Sequence, residues 1–339
     1  MHLNSKPISG SMLSLLTGLF LFASSTLALA GDTDSWGLDG SRIRIVERIE
    51  EKSTGTEHAL RAQLRLNGWV NLDSAGCLKA RARITSGNSF NSEWMQTGIG
   101  KGSADVQIGL RHLYLDYKCI ESNVRIEAGA FSARPAGGPG NLGPTEVGWI
   151  DGLRVTVTNE EKTRDIYLSV GEVSDTKNPN LLTRKHTGIN HAMLEIKQVI
   201  NKDVTAHASI ARQDKQTFSR AGLNWVITQY IAWVKNIGAT TSVGAEALAA
   251  DDRLIGGMIY SDFNLKTWRV RTFVTRITPN PSDEERLNLL FKNFYGYGSN
   301  AYFELSHDIF NKKMTLNLRA RVGDAGKLVE AGITVPLQR

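Results

Sequence analysis

From Leu60 to Trp69 the chain alternates strictly between apolar and polar positions. Leu60, Ala62, Leu64 and Leu66 fall on one face, and Arg61, Gln63, Arg65 and Asn67 on the other. Leu78, Ala80, Ala82 and Ile84 oppose Lys79, Arg81, Arg83 and Thr85 in the same way. A period of two predicts β-strands with one apolar and one wet face. Alternation and turn residues together predict strands over 41–51, 58–71, 77–86, 106–119, 123–131, 149–158, 164–173, 190–200, 203–213, 217–236, 240–249, 253–262, 266–277, 299–309, 313–322 and 327–337. A short helix is expected over 282–293.

The lengths of the connections test this strand count. Every even-numbered connection is short: 72–76, 120–122, 159–163, 201–202, 237–239, 263–265 and 310–312. The four longest, 87–105, 132–148, 174–189 and 278–298, are all odd-numbered. An up-and-down barrel with short turns at one rim and long loops at the other produces that alternation. Splitting 217–236 would put the 278–298 loop at the wrong rim. The expected fold is therefore all-β, a transmembrane antiparallel up-and-down β-barrel of sixteen strands.

The first thirty residues read as a separate element. Lys6 precedes an apolar run from Met12 to Phe22, and Ala28, Leu29 and Ala30 form a cleavage signal. This is the pattern of a secretory signal peptide, so residues 31–339 are expected to form one outer-membrane barrel domain. No later apolar run is long enough for a spanning helix. Only helices and closed barrels satisfy their backbone groups in lipid. The net charge of +6 is a modest bias and no nucleic-acid footprint.

Two segments carry a resemblance. LRHLYLDYK at 110–118 followed by VRIEAGAF at 124–131 resembles a run of bacterial outer-membrane porins in which two strands flank a tight turn. The match spans about twenty residues in motif and the mature chain in pattern. It implies a passive channel in the outer membrane, in contact with lipid and lipopolysaccharide, and a homotrimer. It also implies that the loop after the fifth strand, 132–148, folds into the channel and narrows it, with Arg134 and Glu146 as its charged contributors. The chain departs from the porin pattern at its end, ITVPLQR, where porins carry a terminal aromatic residue.

If apolar positions face outward, the lumen holds Arg42, Arg44, Arg48, Arg61, Arg65, Lys79, Arg81, Arg83, Arg125, Arg154, Arg269, Arg271, Arg319 and Arg321. Arginine keeps its charge, and its planar fork suits carboxylate and phosphate. Rings of such cations favour anions, so small anionic solutes are the expected cargo. The opposing expectation is a transverse field, with Glu146, Asp151, Glu127 and Asp116 facing the arginines. Cys77 and Cys119 lie at one rim of adjacent strands, where an oxidising compartment permits a disulfide, but alternation puts them on opposite faces. Trp225, Trp233 and Trp268 suit an interfacial girdle, whereas Trp69 reads inward. His112 and His207 are expected on wet faces. No metal spacing, cofactor motif or G-x-S-x-G elbow occurs, so no enzyme is expected. The alternatives are a lipid-acting barrel enzyme, a barrel without an open pore and a soluble exported sandwich.

Overall fold

The computed structural model describes residues 35–337 apart from 53, 91, 101, 135–147, 174, 214–215, 252 and 279–296. The leader 1–30, Glu146 and the helix expected over 282–293 lie outside the described residues.

Sixteen antiparallel strands close into one barrel. They are β1 (Ser41–Lys52), β2 (Gly55–Asn71), β3 (Leu78–Ser86), β4 (Ile108–Tyr117), β5 (Val124–Ser132), β6 (Trp149–Thr158), β7 (Arg164–Glu172) and β8 (His191–Val199). The second half comprises β9 (Val204–Gln213), β10 (Gln216–Val226), β11 (Thr240–Ala250), β12 (Arg253–Leu265), β13 (Trp268–Ile277), β14 (Gly298–Ile309), β15 (Met314–Gly323) and β16 (Lys327–Leu337). Each pairs with its sequence neighbours, and β16 pairs with β1 from Lys327↔Glu51 to Leu337↔Ser41, which removes every edge. The expected strand count and the segregation of the longest connections at one rim both hold.

The outer face is apolar and open. Ile45, Leu113, Leu115, Leu153, Leu168, Ile210, Leu223, Ile259 and Val274 are all exposed, Ile259 by 67%. A water-soluble fold would bury such residues. Arg65, Asp116, Glu127, Glu195, Arg220 and Glu330 point inward and are buried.

Three features differ from the pattern read in the sequence. First, β10 stops at Val226, and the expected strand over 217–236 ends in a turn at Thr228–Tyr230 and a helix α1 at Ala232–Asn236. β11 begins only at Thr240, so after the Ile227 amide bonds to Thr241 O at 3.0 Å the neighbouring strand runs out. The Thr228 hydroxyl instead accepts from the Thr241 amide at 2.8 Å. Second, β2 outreaches β3 by eight residues (seventeen against nine). The segment Trp94–Thr97 folds back along the exposed edge, with Arg61↔Gln96 and Gln63↔Trp94 in register. The connection after β3 thus rebuilds the wall. Third, the inner face is not uniformly wet. Met193, Phe218, Leu248, Met258, Phe273, Ile277 and Tyr302 share the inward parity of β8 and β10–β14 and are buried towards the long-loop rim. Alternation in these strands separates large from small as much as apolar from polar.

Candidate functional site: the charged lumen

The inner wall brings carboxylates to most of the expected arginines. Asp262 on β12 receives Arg269 at 2.6 Å and Arg271 at 2.8 Å. Across β14, Glu304 holds Arg319 at 3.0 Å. Glu330 on β16 lies 3.9 Å from Arg319 and 3.8 Å from Arg48. Arg48 continues to Glu50 at 2.8 Å, and Glu50 to Arg321 at 3.0 Å. This belt of alternating sign crosses the β16–β1 seam, so the strands that close the barrel are joined by ion pairs as well as by their ladder.

A second network spans β3 to β6. Asp116 accepts from Arg81 at 2.6 Å and from both arms of Arg125 at 2.7 and 2.9 Å. Arg125 approaches Glu127 at 3.4 Å, and Arg154 reaches the same carboxylate at 3.3 Å. Arg83 donates to the side-chain amide oxygen of Asn67, Oδ1, at 2.6 Å. Three expected cations meet no carboxylate within 4 Å among the described residues. Arg44 lies over the Trp94 ring at 5.1 Å, Lys79 over the inward Trp69 at 4.2 Å, and Arg61 completes the set.

Arg65 is held by a residue that alternation could not reveal. Glu93, from the connection after β3, makes a fork–fork pair with it at 2.9 and 2.7 Å, and Arg42 stands 3.7 Å away. Glu93 is 1% exposed. Burial alone would raise its carboxyl. Arg65, with Arg83 and Arg42 behind it, outweighs burial and holds the group below the usual carboxylate range. The unfolded chain therefore takes up this proton at higher pH than the fold does. The stabilisation is complete above the ordinary carboxylate pKa and is lost as pH falls through the lowered one. Glu93→Gln should flatten that acid limb of the stability curve, read by denaturant titration from neutral to acid pH. An unchanged acid limb would contradict the assignment.

Arg154, expected in the open wall, is 1% exposed and works at the root of the loop after β5. One arm donates to the carbonyls of Ser132 at 2.8 Å and Ala133 at 3.0 Å, and its guanidinium lies 4.5 Å over Phe131. The Ala133 amide donates to Gly148 O at 2.8 Å, closing the loop's base. The charge of Arg134 acts on Glu195 and His207, both on the inner face. The remainder of that loop, 135–147, lies outside the described residues.

Sequence reasoning missed Arg111. β4 carries a bulge where Arg83↔His112 is followed by Ile84↔Leu110, leaving Arg111 unpaired in the ladder and 1% exposed. It donates to the carbonyl of Ser86 at the end of β3 and to those of Ser89, Phe90 and Ser92 in the connection that follows, at 3.1–3.4 Å. Trp149 receives Phe90 edge-on at 4.6 Å and the guanidinium of Arg184 at 4.6 Å. Asp151 shares the outward parity of Leu153 and binds Arg184, so it sits in this outer-rim clasp and does not face the lumen arginines. The only sequence signal was the adjacent pair Arg111 and His112, which breaks the alternation. His112 and His207 lie on the inner face but are buried, at 1% and 5% exposure.

Cys77 and Cys119 form a disulfide with Cα atoms 4.4 Å apart. Both lie just beyond their strands, so the face parity of β3 and β4 does not constrain them.

No protein-family model matches the chain, and no curated sequence does. Solved structures do. A triple mutant of Rhodopseudomonas blastica porin superposes with a TM-score of 0.55 at 11% identity, over 89% of this chain and 99% of that one. A second mutant of that porin gives 0.56 at 12% identity, with the same coverage. A structure described as "Asymmetric conductivity of engineered proteins" gives 0.55 at 10%, over 88% and 99%. At this identity the likeness is one of architecture, and the architecture is the sixteen-stranded barrel of the porins.

Proposed function

We propose that the protein is a passive outer-membrane channel for small hydrophilic solutes with a modest preference for anions. The observation that carries this reading is the inversion of the barrel, charged within and apolar without. Such a wall suits lipid outside and water inside. Trp225, Tyr230, Trp233, Trp268 and Phe310 are exposed at the short-turn rim and make an interfacial girdle. That rim is then periplasmic, residues 1–30 are the export signal, and the long loops meet lipopolysaccharide.

Ion-paired arginines act as dipoles whose fields fade within a Debye length of about 8–10 Å. The anion preference therefore rests on Arg44, Arg61 and Lys79. The loop 132–148, aimed from its root by Arg154, sets the size limit, with Arg134 and Glu146 as its charges. Refolded wild type in a planar bilayer under a KCl gradient should give discrete steps with an anion-selective reversal potential. Arg44→Gln with Arg61→Gln should move that potential towards zero. Cation-selective wild type would refute the preference. Folded, inserted protein without steps would refute the channel and favour a lipid-acting barrel, for which hydrolysis is the assay.

The assembly reading starts from the charge of Glu47. Glu47 is exposed there, in an apolar groove of about 700 Å³ that also includes Ile43, Ile45, Leu316 and Ile333. A carboxylate facing lipid is costly, and a second copy seated on the groove would cover it, as in a homotrimer. Light scattering of the folded protein in detergent should give three copies, and a monomer would remove this element.

A further inference from the structure

At the short-turn rim of the lumen a cavity of about 630 Å³ opens along β2–β5. Lys79, Arg81, Arg83 and Arg125 line it, against two carboxylates, Asp39 and Asp116. Both carboxylates are already engaged. Asp116 is shared by Arg81 and Arg125, and Asp39 lies 3.6 Å from Arg81. Lys79 has the Trp69 ring and, among the described residues, no carboxylate. A second observation is independent of this surplus. His112 lines the cavity, is 1% exposed, and its Nε2 has no hydrogen-bond partner among the described residues. A buried polar atom left in that state costs free energy until something meets it.

We infer that this cavity is a binding site for short dicarboxylates, with Lys79 and Arg83 taking the two carboxylates and His112, opposite Arg83 in the β3–β4 ladder, hydrogen-bonding the carboxylate that Arg83 takes. The inference rests on the channel reading only in that the lumen supplies the solute. Inward residues on one strand recur about every 7 Å, so the heads of Lys79, Arg81 and Arg83 form a line rather than a point. Long side chains converge from that spacing onto a molecule with two anionic ends, and the guanidinium fork grips a carboxylate at two points. Inorganic phosphate can carry the same charge but has one centre, and it would leave the second head unmatched. The cavity is also far larger than such an ion. Its floor is fixed in advance, because the Cys77–Cys119 bridge and the Lys118 amide bond to Cys77 O at 2.8 Å hold β3 and β4 together. Preorganised heads lose less on binding.

The experiment is calorimetric titration of succinate into the folded full chain in detergent at low salt, with folding checked by heat-modifiable gel migration. Succinate should bind saturably, and acetate and phosphate should bind about tenfold or more weakly. Lys79→Gln should weaken succinate by a similar factor, whereas Arg269→Gln, on the far wall, should not. His112→Gln, which keeps a donor, gives a second readout and should retain part of the affinity if Lys79→Gln does not fold. Absence of saturable succinate binding, phosphate binding as tightly as succinate, or wild-type affinity in Lys79→Gln would each overturn the site. Bilayer recordings separate the two readings. Binding without conductance would remove the channel and keep the site, and conductance without binding would do the reverse.

Discussion

Arg154→Ala is expected to cost about 3–5 kcal/mol of folding stability, the usual loss when a buried ion pair loses one member, and to enlarge the channel. The side chain is 1% exposed and serves four partners. Glu127 would lose its contact at 3.3 Å and keep only Arg125 at 3.4 Å. The carbonyls of Ser132 and Ala133 would lose the guanidinium that donates to them, and a hydrogen bond to a charged group contributes about 1.5–3 kcal/mol. Phe131 would lose the guanidinium over its ring. These contacts sit where the chain leaves β5, at the root of the loop proposed to set the size limit. Arg154→Lys should recover only a fraction, because an ammonium cannot reach a carboxylate and two carbonyls in one plane. Urea titration of the refolded barrel and single-channel conductance are the two readouts. A loss under about 1 kcal/mol with wild-type conductance would show that the loop is held elsewhere.

Much of the fold was legible because a barrel wall repeats one rule. Residues such as Arg42, Ile43, Arg44 and Ile45 state their faces locally, and the parity of connection lengths closes the count without any tertiary knowledge. The wall arginines were legible for the same reason. Their partners were less so. Asp116 and Glu127 lie on strands and could be placed, but Glu93 reaches Arg65 from a connection whose path is set by tertiary packing. A reading limited to alternation therefore overstated the free positive charge of the wall. The same reading assumed that apolar means outward, and Phe218, Met258 and Phe273 show where that fails. The tail of the long β10 reading failed for another reason. Trp225 to Ile231 is rich in β-prone residues, yet a strand needs a neighbour to pair with, and β11 reaches only as far as Thr240, opposite the first residues after Val226.

Arg111 is the clearest residue that pattern could not place, and Arg111→Ala carries the second large expectation. A bulge adds one residue to β4 and reverses the face parity on its far side. The guanidinium then donates to the last carbonyl of β3 and to three of the connection after it. Its own carbonyl accepts from Arg184 at 3.3 Å, and the Leu181 amide bonds to Leu110 O at 2.7 Å, so a second connection is fastened to the same bulge. Hydrogen bonds to a charged group contribute about 1.5–3 kcal/mol each, less when four share one donor group at moderate length, so a total loss of about 3 kcal/mol or more is expected. The consequence should spread along the chain. Segment 86–93 delivers Glu93 to Arg65, so releasing its carbonyls also loosens that buried pair. Arg111→Ala combined with Glu93→Gln should therefore destabilise less than the sum of the single changes, since each weakens what the other holds. Amide exchange should rise in 86–93 and in 176–184 while the β12–β14 ladder stays protected. Additive effects in that cycle, or exchange confined to β4, would show that Arg111 merely fills space beside Trp149.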